Sequence, residues 1–259
     1  EDSWCIDPNK IREAITEKTK AIIPVHVYGQ PCDMNTIMQI ADEHNLFVIE
    51  DAAEAHGAKC NGKRVGSFGH ISCFSFYGNK VITTGEGGMC LTNSDELDEK
   101  MRVLRDHGMS KSKRYWHDVV GYNYRLTNMQ AAVGVAQLER IEDILAAKNG
   151  FEADVKSTLE GMTNVVFQRD DLTDREKIVW LTCILVNDGR RDEHMANLKA
   201  QGIDARPFFY PLSDMPVYQK YAIHPTPVSK KLSGMGMNLP SSQPLGEEAL
   251  STLKTVLSS

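Results

Sequence analysis

The stretch Cys73-Phe74-Ser75-Phe76-Tyr77-Gly78-Asn79-Lys80, followed by Thr83-Thr84-Gly85-Glu86-Gly87-Gly88, decides the fold of this chain. A predicted strand runs into a loop that ends at Lys80, and a glycine-rich turn comes after the lysine. A lysine in this position suits Schiff-base chemistry, in which its amine forms an imine with a carbonyl group. The glycines allow a tight turn close to a ligand, because glycine accepts a positive φ without steric cost.

Asp51 is the second residue that points to this chemistry. It closes the apolar run 46–49, which predicts a buried parallel strand, so its carboxylate lies at the sheet edge where α/β proteins bind ligands. An enzyme that uses pyridoxal 5′-phosphate (PLP) needs an imine-forming lysine and an aspartate that keeps the pyridine nitrogen protonated. Taken alone, a loop lysine is usually solvated, and a strand-end aspartate usually caps a helix or forms a turn.

Further motifs surround these two residues in a specific order. They are Glu50-Asp51-Ala52-Ala53-Glu54-Ala55-His56-Gly57, Gly66-Ser67-Phe68-Gly69, the segment 75–80 and Gly85-Glu86-Gly87-Gly88. With them, the sequence resembles the sugar-nucleotide aminotransferases of the DegT/DnrJ/EryC1/StrS family over essentially its whole length. Residues 115–128 look most like one branch of that family, the GDP-perosamine synthases.

The resemblance implies an α/β fold of the aspartate aminotransferase-like kind, fold type I. Residues 1–150 are expected to form the large PLP-binding domain, with a mainly parallel sheet and a linking helix. Residues 151–259 are expected to form a smaller C-terminal α+β domain. The first residues match a point well inside the large domain of relatives. We therefore expect that an N-terminal segment is missing and that cofactor binding and activity of this chain are weakened.

The resemblance also assigns roles to single residues. Lys80 is expected to hold the cofactor as an imine, Asp51 to contact its pyridinium nitrogen and Ser75 to bind its phosphate. Asn123 matches the asparagine that reaches from one subunit to the cofactor phosphate of its neighbour. This implies a homodimer with a shared active site, although an asparagine between two tyrosines is also a common turn residue.

Three further positions carry less specific signals. Glu54 stands where many members of the family carry a glutamine that contacts the cofactor ring or its phenolic oxygen. A phenolate repels a carboxylate unless that group is protonated or paired, so either Glu54 keeps a proton or the contact differs in this branch. Arg206 and Tyr210 match segments near the substrate region of the family, and they could equally be core or domain-interface residues.

The implied function is transfer of an amino group from L-glutamate to a nucleotide-linked 4-keto-6-deoxy sugar, with pyridoxamine phosphate as the carrier. The GDP-perosamine branch implies GDP-4-keto-6-deoxy-D-mannose as acceptor and GDP-perosamine, a precursor of surface polysaccharide such as O-antigen, as product. A UDP- or dTDP-linked sugar is the alternative acceptor. A related sugar dehydratase would carry histidine in place of Lys80. A catalytically silent sugar-nucleotide-binding homologue is disfavoured by the intact Lys80 and Asp51.

Composition fits a cytoplasmic enzyme. The chain has 259 residues, of which 41% are hydrophobic and 25% charged, and its net charge of -6 argues against nucleic-acid binding. Its six cysteines form no CxxC pair and predict reduced thiols. No apolar run approaches the ~20 residues of a membrane helix, and no signal peptide is visible. The histidines, among them His26 and His56, lack metal-ligand spacing and predict packing or loop roles without a metal.

Sequence periodicity predicts alternating strands and helices in the first part of the chain. Ser94 is expected to cap one helix, and Thr127 to open a long helix, through a capping box, that ends near Gly150 and links the domains. The predicted strands are 20–28, 46–50, 71–76, 89–92 and 178–186, with an extended piece at 206–210, and the predicted helices are 34–44, 94–105, 127–150 and 192–200.

Overall fold

The computed structural model describes residues 1–222 and 224–259. The helices are α1 (Pro8–Ala14), α2 (Met34–Glu43), α3 (Asp95–Arg105), α4 (Asn128–Leu138), α5 (Ile141–Thr158), α6 (Arg191–Ala200), α7 (Pro227–Met235) and α8 (Glu247–Ser258). The strands are β1 (Ala21–Ile22), β2 (Phe47–Asp51), β3 (Lys59–Cys60), β4 (Lys63–Arg64), β5 (Ile71–Ser75), β6 (Gly88–Leu91), β7 (Val165–Phe167), β8 (Arg175–Glu176), β9 (Thr182–Val186), β10 (Arg206–Pro207) and β11 (Gly236–Leu239).

The first half of the chain forms a mainly parallel sheet with the order β1-β2-β5-β6. Strand β2 is parallel to both β1 and β5, and β6 adds an antiparallel edge. Helix α2 begins at its N-cap Asp33, whose carboxylate accepts the Thr36 N–H, and it buries Met34, Ile37 and Ile40 at helical spacing. The expected α/β fold with a mainly parallel sheet is confirmed.

The second half forms an antiparallel sheet with the order β10-β11-β9-β7. All five residues of β9 are buried, as an apolar strand in the middle of a sheet requires. Helices α6 and α8 contact each other, and α6 also contacts β11. This is the expected α+β arrangement.

The two halves share a hydrophobic cluster, and each half has a further cluster of its own. Tyr28 and Ala52 from the first sheet region pack in the same cluster as Trp180, Leu185 and Phe208 from the second. A small sheet of the order β4-β3-β8 also joins the two parts of the chain. The division at residue 150 stays a prediction, and that residue lies inside α5.

The expectation of a single linking helix ending near Gly150 is wrong. Thr127 opens α4 with the predicted capping box, but the helix stops at Leu138. Arg140 leaves the helical region with φ -112° and ψ 14°, and α5 then continues past Gly150 to Thr158. A glycine inside a helix costs about 1 kcal/mol relative to alanine. Packing of apolar side chains such as Val155 in α5 offsets that cost.

The predicted strand at 20–28 is also too long. β1 covers only two residues, and Val27–Gly29 forms a single helical turn in which Tyr28 has a positive φ of 55°. Two long-range contacts hold this conformation. The Tyr28 N–H donates to Glu54 at 2.7 Å, and the Ile178 N–H donates to the Gly29 carbonyl at 3.1 Å.

A buried carboxylate ties the end of β2 to the turn before β5. Glu50 is fully buried and accepts the backbone N–H groups of Gly66, Phe68 and Gly69 at 2.7, 2.6 and 2.6 Å. Gly66 has φ 85°, and a Cβ at this position would lie 2.4 Å from Cζ of Phe74. The turn therefore requires glycine at this position.

His26 completes the hydrogen bonding of Glu50. Its Nδ1 accepts the Cys32 N–H at 3.0 Å, so Nε2 carries the ring hydrogen and donates it to Glu50 at 3.2 Å. Burial by itself would raise the pKa of Glu50. The His26 ring and the three backbone donors outweigh burial and hold this pKa below its ordinary value.

Further findings concern membranes, metals and thiols. None of the helices formed by residues 1–222 and 224–259 is long and apolar enough to cross a lipid bilayer. In the same residues, no group of three or more His, Cys, Asp or Glu side chains is placed to hold a metal ion. All six cysteines are free, and Cys73 and Cys90 face each other across β5 and β6 with their sulfurs 3.8 Å apart.

We expect Glu50→Gln to lower the free energy of unfolding by about 3 kcal/mol, because each carboxylate oxygen now accepts two hydrogen bonds. A glutamine NH2 would face two donors in either orientation. Urea unfolding checks this value. Glu43→Gln is the control, because Glu43 is 41% exposed in its pair with Arg12, and it should change stability by less than about 0.5 kcal/mol. Equal losses in both variants would contradict the expectation.

Candidate active site

The carboxyl ends of β2 and β5 bring Asp51 and Ser75 to the same edge of the first sheet. Asp51 is in register with Cys73, so Ser75 lies two residues further along β5. Asp51 Oδ1 accepts the Ala53 N–H at 3.1 Å, and Oδ2 accepts no hydrogen bond from the described residues. Ser75 Oγ accepts the Tyr77 N–H at 3.3 Å, and its hydroxyl hydrogen remains available to a ligand.

Lys80 lies in the turn after β5, and its amine lies close to a carboxyl group and an aromatic ring. Its side chain is 12% exposed, and Nζ is 3.9 Å from Oε1 of Glu54 and 3.7 Å from the centre of the Trp180 ring. Burial lowers the pKa of Lys80, and the carboxylates of Glu54 and Asp51 oppose that shift. A larger share of this amine is therefore uncharged and nucleophilic at neutral pH than in a solvated lysine.

Glu54 joins Lys80 to the turn that carries Tyr28. Its Oε2 accepts the Tyr28 N–H at 2.7 Å, and its side chain is 12% exposed. Burial raises the pKa of Glu54 to about 7, against the opposing effects of the Tyr28 N–H and the Lys80 charge, and Asp51 adds to the increase. At neutral pH this carboxyl holds a proton about half of the time, and in that form it can donate to a phenolic oxygen.

The glycine-rich turn closes the loop that carries Lys80. The Phe76 N–H donates to the Gly87 carbonyl at 2.9 Å, and the Thr84 N–H donates to the Phe76 carbonyl at 2.9 Å. Gly85 and Gly87 have φ values of 81° and 135°, which confirms the expected positive φ. A Cβ on Gly87 would lie 2.6 Å from Cδ2 of Leu126, so a larger residue would displace the Leu126 side chain.

Two aromatic residues beside Lys80 were not predicted from the sequence. Trp180 is 2% exposed, and its Nε1 donates to the carbonyl of Asn79 at 2.8 Å. The ring of Tyr28, also 2% exposed, stacks on Trp180 with 6.0 Å between ring centres. Both lie in apolar runs that predict strands, where an aromatic residue is usually part of the core. Only the structure brings Trp180 next to Lys80 and Tyr28 onto Trp180.

His56 lines the same region as an uncharged ring. It is 4% exposed, packs on Phe74 and Phe76, and neither ring nitrogen has a hydrogen-bond partner of good geometry among the described residues. The pKa of His56 is lowered to about 4, mainly by burial and also by the Lys80 charge, and the nearby Ser75 backbone opposes both effects. His56 therefore adds no positive charge beside Lys80 at neutral pH, in keeping with the packing role expected from the sequence.

Asn123 lies apart from this group of residues. It is exposed, its backbone pairs with Asp106, and the neighbouring rings of Tyr122 and Tyr124 stack with centres 5.0 Å apart. Within one copy of the chain, no hydrogen bond between described residues joins the side chain of Asn123 to Lys80. Its expected role in the site of a neighbouring subunit stays a prediction.

Arg206 and Tyr210 also lie outside the immediate surroundings of Lys80. The Arg206 side chain is 75% exposed, and its guanidinium donates to Asp204 at 2.9 and 3.1 Å. Tyr210 is 62% exposed. It follows Phe209, whose ring stacks on Trp180 with centres 6.4 Å apart. Neither residue is a core residue, and a role in binding substrate stays a prediction.

The residues around Lys80 fit a PLP cofactor. PLP presents an aldehyde, a pyridine nitrogen, a phenolic oxygen and a phosphate. Lys80 offers an amine with a lowered pKa for the aldehyde, and Asp51 Oδ2 is open to the ring nitrogen. Glu54 offers a carboxyl that exchanges its proton near neutral pH, and Ser75 offers a hydroxyl donor for the phosphate.

The sequence model of a protein family, described as the DegT/DnrJ/EryC1/StrS aminotransferase family, matches residues 1–257. GDP-perosamine synthase of Caulobacter vibrioides is 44% identical over 245 residues, which cover 93% of this chain and 66% of that protein. The chain thus spans about two thirds of the length of such relatives. A UDP-N-acetyl-3-dehydro-alpha-D-glucosamine 3-aminotransferase of Acidithiobacillus ferrooxidans is 38% identical, covering 95% and 66%. A dTDP-3-amino-3,4,6-trideoxy-alpha-D-glucose transaminase of Streptomyces venezuelae is 37% identical, covering 79% and 53%.

Solved structures agree with the fold. PseC of Helicobacter pylori, an aminotransferase involved in the biosynthesis of pseudoaminic acid, superposes with a TM-score of 0.91 at 25% identity and covers 99% of this chain. The match extends over 71% of PseC. DesV of Streptomyces venezuelae superposes with a TM-score of 0.88 at 31% identity and covers 100% of this chain and 70% of DesV.

We expect Glu54→Gln to change how stability depends on pH. In wild type, the folded-state pKa of about 7 exceeds the ordinary 4.5, so the folded state holds this proton more tightly. The stability that results is present below pH 4.5 and is lost as pH rises through 7. Relative to the glutamine variant, wild type should lose roughly 2 kcal/mol between about pH 5 and 8.

Urea unfolding at both pH values measures this difference. Glu96→Gln is a matched control, because that side chain is 76% exposed in a helical pair with Lys100 and should leave the wild-type pH dependence unchanged. Parallel pH profiles of wild type and Glu54→Gln would contradict the expected titration.

Proposed function

We propose that this chain, which belongs to the DegT/DnrJ/EryC1/StrS aminotransferase family, acts as a PLP-dependent transaminase on a nucleotide-linked keto sugar in the cytoplasm. The carrying observation is the position of the Lys80 amine. It lies 3.9 Å from Glu54 in the turn after β5, at the sheet edge where Asp51 ends the neighbouring strand. Perturbed amines in such a position are typical of imine-forming sites.

Each residue contributes a defined step to this proposal. When bound, PLP supplies an electron sink that stabilises negative charge on the carbon next to the substrate nitrogen. Lys80 would hold the cofactor through its aldehyde, in a condensation that releases water and uses the uncharged amine that burial favours. When it is free, the same Nζ would accept a proton from one carbon and return it to another. Asp51 would bind a ring nitrogen through Oδ2, because its Oδ1 already accepts the Ala53 N–H.

Glu54 and Ser75 orient the cofactor and take no part in bond making or breaking. Glu54 holds the backbone of Tyr28 with one oxygen and presents the other to the cofactor side, where its pKa of about 7 lets it donate or accept as charge on the partner changes. The Ser75 hydroxyl ends the strand that leads to Lys80. A phosphate bound there would therefore fix the cofactor relative to the amine.

For the substrates, we propose L-glutamate as amino donor and GDP-4-keto-6-deoxy-D-mannose as acceptor, which gives GDP-perosamine for surface polysaccharide such as O-antigen. The 44% identity to GDP-perosamine synthases supports this choice. Relatives named for UDP- and dTDP-linked sugars share 38% and 37% identity, so these nucleotides are the alternatives to test. Arg206 is exposed enough to meet a diphosphate, and Tyr210 a sugar or base.

We also propose that the working form is a homodimer in which Asn123 serves the site of the other subunit. The support is the exposure of apolar side chains along α4, a helix with no buried residue, since monomers rarely leave many such side chains uncovered. Met129, Val133, Val135 and Leu138 of α4 are 82%, 46%, 56% and 57% exposed. Asn123 lies shortly before this helix, on the same exposed segment of chain.

Absorbance spectroscopy tests the chemistry. Purified protein mixed with PLP is expected to give an imine band that shifts on addition of L-glutamate, and Lys80→Ala should abolish both. Lys100→Ala, on the exposed face of α3, should keep the wild-type spectrum. A band that glutamate does not shift would indicate a silent homologue. With a shift in hand, turnover of GDP-, UDP- and dTDP-linked 4-keto sugars identifies the acceptor.

Mixing two inactive variants tests the shared site. Asn123→Ala and Lys80→Ala dimers should each have low activity, and exchange of subunits creates one site with both residues intact. We expect the mixture to regain up to about a quarter of wild-type activity, the statistical limit for a random C2 dimer. Met129→Glu should shift sedimentation toward monomer. A monomeric wild type, or no recovery on mixing, would overturn the proposed dimer.

A further inference from the structure

Trp180 is held in place from three sides. Its carbonyl accepts the Lys148 ammonium at 3.1 Å, and its Nε1 donates to the Asn79 carbonyl at 2.8 Å. The ring of Tyr28 stacks on it at an angle of 21°. The indole therefore has a fixed orientation, and its N–H is hydrogen-bonded to the residue directly before Lys80.

The Lys80 ammonium lies over the face of this indole ring. The distance of 3.7 Å from Nζ to the ring centre is well within the range of a cation–π contact. Oε1 of Glu54 lies 3.9 Å from the same Nζ, which is too long for a hydrogen bond. Asp51 adds negative potential, and His56, whose pKa the Lys80 charge helps to lower, stays uncharged. Lys80 is thus held loosely between a carboxyl and an aromatic face.

We propose that Trp180 is a positioning residue, whose indole face is the resting place of the Lys80 ammonium whenever that amine is not bonded to the cofactor. The inference rests on the proposed function. A transaminase lysine is displaced by each incoming amine and must stay within reach to move protons. An aromatic face holds an ammonium without accepting its proton, so Lys80 is retained but not locked in a short ion pair.

A role in core packing alone makes different predictions. Loss of a buried tryptophan lowers stability in either case. Only a resting place for the ammonium makes the pKa of Lys80 depend on the aromatic face, because the face stabilises the charged form. Removing the face should therefore lower that pKa. Only this arrangement also places the end of the Lys80 side chain in the shielding region above the indole ring.

Reductive methylation with 13C-formaldehyde, followed by NMR titration, measures both quantities without any cofactor. Lys80→Arg identifies the Lys80 signal in the full chain. We expect this signal to be shifted upfield in wild type by the indole ring current. In Trp180→Leu it should return to the ordinary lysine position, and its titration midpoint should fall by roughly half to one pH unit.

Two further variants serve as controls for this test. Trp180→Phe keeps an aromatic face, so it should retain most of the upfield shift and midpoint even if Trp180→Leu does not fold. Trp116→Leu removes a second tryptophan that pairs with a lysine, Lys113 at 3.9 Å, and should leave the Lys80 signal unchanged. A wild-type Lys80 signal without upfield shift, or a midpoint unmoved in Trp180→Leu, would overturn the inference.

The NMR test of Trp180 can succeed or fail independently of the absorbance test of the proposed function. The NMR titration reads the Lys80 environment alone, whereas the PLP spectrum reads the chemistry. A shifted, Trp180-dependent Lys80 signal supports the resting place even in a chain that gives no imine band, and the missing band then counts against the transaminase.

Discussion

The buried carboxylate of Glu50 is the constraint on which the site depends. A fully buried charge is stable only when every lone pair is used, and here three backbone N–H groups and the His26 ring do so. These bonds fix the turn of Gly66 and Gly69 against the end of β2. Asp51 is the next residue, and its position at the sheet edge follows from that anchor.

Lys80 shows how competing effects set the state of one group. Burial works against the ammonium, and the charges of Glu54 and Asp51 and the face of Trp180 work for it. The pKa of Lys80 is lowered overall, so desolvation outweighs the carboxylates. Had Glu54 come within 3 Å as a full carboxylate, a tight ion pair would hold the amine charged. The 3.9 Å between Lys80 Nζ and Glu54 Oε1 keeps this ion pair weak. The Glu54 carboxyl, with a pKa of about 7, weakens it further because it is protonated for part of the time.

Local signals predicted much of the fold, and long-range contacts account for what they missed. Ser94 caps α3 and Thr127 opens α4 as expected, since capping involves residues only three apart. The strand predicted at 20–28 ends early because Tyr28 bonds to Glu54, distant in sequence. The candidate residues Lys80, Asp51, Glu54 and Ser75 do lie close together in the structure. Trp180 could not be found from sequence, because a buried aromatic in a strand pattern signals only a core.

The shared core limits how this enzyme could be recombined. Trp180 and Phe208, from the second half, pack in one cluster with Tyr28 from the first, and the carbonyl of Asn79 bonds to the indole across that boundary. A chimera that took residues 151–259 from a relative would also replace the ring beneath Lys80. The second half of the chain and the surroundings of Lys80 are therefore inherited together, not as exchangeable modules.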